Sequence, residues 1–156
     1  MKLHVSLILA LLVLVLDFAT KRWVESELVY GHQILLTSFF NLVLAHNEGA
    51  AFSFLSNESG WQRWFFSGIA TCASVLIIYL LRKHTSEKLF CVALSLILGG
   101  ALGNLWDRIT LSYVVDFLDF HYSGYHWPAF NIADSAIFIG ALLLIFETFR
   151  DKKSNE

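Results

Sequence analysis

The sequence predicts an all-α membrane protein: a bundle of four transmembrane helices with a small β-structured flap outside it. Three observations carry this. The chain of 156 residues is 56% hydrophobic and only 15% charged, with a mean hydropathy of +0.60, too apolar for a soluble domain of this length. The apolar residues gather in blocks of spanning length, about 20 residues being needed to cross the hydrocarbon as a helix. The one long stretch between blocks is rich in strand formers.

The first block runs from Leu3 to Ala19, with "LILALLVLVL" at its centre, and its span is set at 3–22. "MK" ahead of an apolar run resembles a signal peptide, but "DFATKRW" follows where small residues of a cleavage site are wanted, which favours a retained span. The second span, 61–81, is flanked by Trp61, Trp64 and Tyr79, aromatics suited to headgroup depth. The third and fourth cover 89–106 and 132–149. Cys72 and Cys91 fall inside spans and are expected to be small buried hydrophobes.

With both termini cytoplasmic, that side carries Lys2, Arg82, Lys83, Lys88, Arg150, Lys152 and Lys153; the other carries Lys21, Arg22, Arg63 and Arg108. The seven-to-four bias follows the positive-inside rule. The net charge of −2 says little, and no basic run points to nucleic acid. The outer segments are then 24–60 and 107–131, in a single integral membrane domain covering 1–156. In the first of these, "SFFNLVLAHN" favours strand and "NEGAAFSF" permits tight turning, which gives a flap on the membrane surface.

Two acids stand in apolar sequence where charge is expensive. Asp134 lies three residues into the fourth span, and Asp116 lies in "YVVDFLDF", which leads back to the same end. Such residues usually face a bundle interior or a wet cavity. Asp134 alone could be a helix N-terminal acid following Asn131 as cap. Two carboxyls at one depth could instead share a proton, giving a base and an acid side by side, the chemistry of aspartic proteases, which needs no metal and no cofactor. Spacing does not establish that the two meet. Asp119 competes with Asp116 and is expected to be a surface or interfacial residue.

Other chemistries lack their residues. The six histidines form no H-E-x-x-H pair, and no G-x-S-x-G elbow or P-loop occurs. Asp17 and Lys21 are spaced to share a helix face, though Lys21 could simply snorkel to the interface. In "GGALGNLWDR", Gly99, Gly100 and Gly103 suit close helix approach; Asn104, Asp107 and Arg108 are left over. Arg108 could hold an ion pair or fix a loop, and Asn47 could be a turn residue. A proton- or cation-conducting transporter would place such groups near the midplane, whereas here they gather at one surface. A non-catalytic assembly factor using the acids as polar glue is the other rival.

Taken in order, "DFATK", "NEGAAFSFL", "GGALGNLWDR", "VVDFLDF" and "FNIADSAI" resemble the bacterial lipoprotein signal peptidases, the type II signal peptidases, over nearly the whole chain. The resemblance implies a four-span inner-membrane aspartic endopeptidase with an outer β-like cradle. Its substrates would be prolipoproteins whose lipobox cysteine carries a diacylglyceryl group, cut just before that cysteine. It implies Asp116 and Asp134 as the catalytic pair, and Asp17, Lys21, Asn47, Asn104, Arg108 and Asn131 as the supporting polar residues. No cofactor or metal is implied, the active site would lie at the outer face, and the chain is expected to act as a monomer within membrane lipid.

Overall fold

The computed structural model describes residues 1–49 and 60–154. In chain order it contains α1 (Leu3–Glu27), β1 (Gln33–Leu35), β2 (Phe40–Asn47), α2 (Trp61–Lys83), α3 (Lys88–Thr110), β3 (Val114–Tyr122), β4 (Tyr125–His126) and α4 (Ile132–Ser154). Each helix is long and apolar enough to cross a membrane. Part of the flap motif, 50–59, lies outside the described residues.

α3 is the hub. Buried along most of its length, it packs against the other three helices, which turn apolar side chains such as Leu12, Leu76 and Phe146 outward. In water this pattern would be costly; in lipid it is what a span requires. Its glycines make close packing feasible. A Cβ at Gly99 would meet the Ala10 carbonyl of α1 at 2.5 Å, and one at Gly100 would run into the Ala133 carbonyl of α4. Without a hydrophobic drive between spans, such backbone approach supplies the contact. Ala10, Ile77, Leu81, Cys91, Leu94 and Leu98 form the core at the far end from the sheet.

The helices run past the spans expected from sequence. α1 continues to Glu27 rather than stopping near 22, and α3 continues to Thr110 rather than 106. Asp107 and Arg108 are therefore helical, not part of an outer loop. Hydropathy marks where lipid ends, whereas the helix ends where its hydrogen-bond ladder does, and these helices project beyond the apolar zone.

Outside the bundle lies an antiparallel sheet of order β1-β2-β3-β4. The second outer segment contributes β3, where the sequence predicts only an apolar connection. β2 and β3 pair from Phe40↔Phe120 to Asn47↔Val114, with a bulge between Leu42 and Ala45, just before the Ala45↔Asp116 pair. A bulge re-aims side chains, and this one adjoins Asp116. β3 turns into β4 through Ser123 and Gly124, both at positive φ (51° and 83°), as a two-residue hairpin with a primed turn demands. Val24, Leu44, Val115 and Phe117 join the sheet to the end of α1.

Two expectations are corrected. Asp119 is not a surface residue: it is buried, accepts from Asn41 Nδ2 at 2.9 Å and faces His126 Nδ1 at 2.9 Å. Alternation along β3 turns 117 and 119 inward together, so position relative to lipid was the wrong guide. Cys72 is exposed on the outer side of α2, while Cys91 is buried as expected.

Candidate active site

Asp116 and Asp134 come from different elements and line one cavity. Asp116 stands on β3, 3% exposed. Its Oδ1 accepts from Asn131 Nδ2 at 2.7 Å and its Oδ2 from Asn47 Nδ2 at 3.0 Å. Burial, and then the nearby Asp134 charge, push its carboxyl up from 3.8 to about 7, against the pull of its amide partners and Lys21.

Asp134 stands in the first turn of α4. Asn131 caps that helix: its Oδ1 accepts from the Asp134 N–H at 2.9 Å, and Asp134 Oδ2 accepts from the Asn131 N–H at 3.3 Å. This reciprocal pair is a capping box with an acid in the third helical position. The other oxygen, Oδ1, accepts from Asn104 Nδ2 at 2.7 Å. The capping role and the cavity position therefore coexist. Asn131 serves both acids, one through each end of its amide.

Behind the cavity lies a buried charge cluster. Lys21 is fully buried, so it does not snorkel. Its Nζ meets Asp17 Oδ2 at 2.8 Å, Asp107 Oδ2 at 2.9 Å and Asn104 Oδ1 at 3.1 Å. Each partner holds something further. Asp17 Oδ1 accepts from the Ala133 N–H at 2.8 Å, tying α1 to the start of α4. Asp107 Oδ2 accepts from the Val115 N–H at 3.2 Å, fixing β3 beside Asp116. A Cβ at Gly103 would strike the Asp17 carboxylate at 2.6 Å, so this glycine makes room for the cluster.

Arg108 fixes a loop, its Nη2 donating to the Gly49 carbonyl at 3.0 Å, and among the described residues it closes no ion pair. Asn47 is both the turn residue and more, since its Oδ1 accepts from the Gly49 N–H while its Nδ2 reaches Asp116. All eight residues singled out from the sequence thus lie in one connected network. Asp107 joins them, although the sequence does not assign it to the site. Its spacing of three from Asn104 on a helix was the available signal. Trp127, Pro128, Ala129 and Phe130, which also line the cavity, carried no sequence signal beyond the chain's one proline.

The cavity, about 630 Å³, has a polar head of Asn47, Asn104, Arg108 and both acids, and an apolar wall of Ile137, Phe138, Ile139 and Ala141. From 134 to 141, α4 rises about 10 Å, so the wall descends along the helix away from the acids.

Membrane-length helices and a cavity headed by one buried and one half-buried carboxylate define a multi-pass membrane protein with the functional groups of a hydrolase. The sequence profile of signal peptidase (SPase) II matches residues 9–150. The chain is 57% identical over 137 residues to a lipoprotein signal peptidase of Ralstonia nicotianae, covering 88% of this chain and 79% of that protein. It is 56% identical over 142 residues to one from Janthinobacterium sp. (strain Marseille), covering 91% and 86%. A bacterial membrane enzyme solved by the in meso method at 2.3 Å resolution superposes with a TM-score of 0.88 at 33% identity, over 98% of this chain and 92% of that one. The chain belongs to the signal peptidase II family, and it is an aspartic endopeptidase.

Proposed function

We propose that this protein removes the signal peptide of diacylglyceryl-modified prolipoproteins, cutting before the lipidated cysteine with water activated between Asp116 and Asp134. One carboxylate takes a proton from water as its oxygen bonds to the scissile carbonyl carbon. The other acid gives its proton to the carbonyl oxygen. Collapse of the tetrahedral species breaks the C–N bond, and the leaving nitrogen takes up the proton drawn from water. One water is consumed, and a carboxylate and an amine are released.

The observation that carries this reading is the cavity itself: two acids sharing Asn131, above an apolar wall that descends along α4. A lipidated cysteine is held at interface depth by its acyl chains, so a cut there needs polar chemistry next to apolar lining. Asp17, Lys21, Asn47, Asn104, Arg108 and Asn131 hold the acids in place. The charge bias of the sequence supports both termini on the cytoplasmic side of the inner membrane, with the site at the outer face. The chain works as a monomer in a single membrane domain, every group of the site coming from one copy.

The test uses purified protein in detergent and a diacylglyceryl-modified prolipoprotein. The wild type yields the shortened lipoprotein; Asp116→Asn and Asp134→Asn, folded by thermal melting, yield none. Product from either variant removes that residue from the mechanism.

A further inference from the structure

The two acids sit in unlike surroundings, and the difference traces to a lysine. Asn104 Oδ1 receives Lys21 Nζ at 3.1 Å and Asn131 Nδ2 at 3.2 Å. An ammonium has only donors, so the Asn104 amide cannot flip without setting its NH₂ against Lys21. Its nitrogen is thereby committed to Asp134, at 2.7 Å. Lys21 is itself immobilised, fully buried between Asp17 and Asp107.

We infer that Lys21, acting through Asn104, is a positioning residue that sets the polarity of the dyad: Asp134 is the ionised base and Asp116 the proton-bearing acid. This rests on the dyad reading above. The charged groups around the pair are Asp17 and Lys21 from α1, Asp107 and Arg108 from α3, and the two acids themselves. Lys21 reaches Asp134 through one amide whose direction it dictates. Asp134 also lies at the start of α4, where the helix dipole and the capping box favour a negative carboxylate. Asp116 has neither aid. It stands on a strand, and its two hydrogen-bond partners are neutral amides. Burial and the neighbouring Asp134 charge together raise its carboxyl to about 7, so an ionised Asp134 itself helps to keep the Asp116 proton in place.

In the reaction, water then hands its proton to Asp134 while the Asp116 proton passes to the substrate carbonyl. Asp134 next protonates the leaving nitrogen, and Asp116 recovers its proton from the tetrahedral hydroxyl.

Lys21→Met and Asn104→Ala test this in full-length protein, with kcat and KM measured across pH on a synthetic diacylglyceryl prolipopeptide. Asn104→Ala leaves the Asp17–Lys21–Asp107 cluster intact, so it separates the relay from the fold. Both variants should shift the acid limb of the kcat profile to higher pH by about one unit, the low end of what a nearby charge does. On that limb kcat should drop about tenfold, with KM within about twofold of wild type. A merely structural role would lower melting temperature and leave the limb in place. An unmoved limb in both variants, or a loss confined to KM, overturns the relay while leaving the dyad standing. Cleavage by Asp116→Asn or Asp134→Asn would instead strike the dyad itself.

Discussion

Replacing Asp116 by Asn should abolish cleavage and yet stabilise the protein, but only at high pH. Asp116 is almost fully buried and its carboxyl is raised from 3.8 to about 7. Below 3.8 it is neutral whether the protein is folded or unfolded and costs nothing. Between 3.8 and about 7 the folded protein holds a proton that the unfolded chain has lost, so stability falls as pH rises. Above about 7 the full penalty stands: some three units at 1.36 kcal/mol each, on the order of 4 kcal/mol. An Asn escapes that penalty. It also turns its NH₂ toward one of the two amide donors, Asn47 or Asn131, which loses its acceptor; that costs about 1–3 kcal/mol. The balance is a gain of about 2 kcal/mol at pH 8.5; at pH 5 only the roughly 1.2 units above 3.8 count, about 1.6 kcal/mol, and the balance falls to about zero. Thermal unfolding in detergent at the two pH values reads this directly. A stability difference that does not change sign, or at least shrink strongly, between them refutes the reasoning.

Further outcomes follow from the same contacts. Cleavage by the wild type should decline as pH rises past about 7, because Asp116 then loses the proton it donates; kcat that stays level into strongly alkaline solution would contradict this. Gly100→Ala drives a methyl group into the Ala133 carbonyl, one residue before Asp134. It should lower stability by about 1–3 kcal/mol, as overpacking does, and reduce kcat, measured by melting and by the cleavage assay. Asp119→Ala strips the acceptor from buried Asn41 and from His126, at about 1–3 kcal/mol. Limited proteolysis should then show the β3–β4 hairpin opening while the helices resist.

Much of this was legible in the sequence because lipid imposes simple demands. A span must be long and apolar, so hydropathy alone located all four helices. A charge kept in such surroundings must be paired or working, which singled out Asp17, Lys21, Asp116 and Asp134. Pairing between distant segments was not legible. β3 pairs with β2 across about 70 residues of chain, as in Asn47 Nδ2 reaching Asp116, and no local pattern announces such a partner. Asp119 shows the same limit: its burial depends in part on Asn41, 78 residues away in the chain, besides the nearby His126 of its own hairpin. Lys21 was ambiguous until its partners were seen, since snorkelling and burial share one sequence signature. Local helix chemistry fared better, with Asn131 capping α4 as its position suggested.

Single turnover in ¹⁸O-labelled water puts the two-carboxylate mechanism to its sharpest test. If water held by Asp116 and Asp134 attacks the peptide bond directly, the released signal peptide gains one ¹⁸O in its new C-terminal carboxylate and the enzyme gains none. Label found in the side chain of Asp116 or Asp134, with unlabelled peptide released, would mean that a carboxylate itself attacked and that the account is wrong.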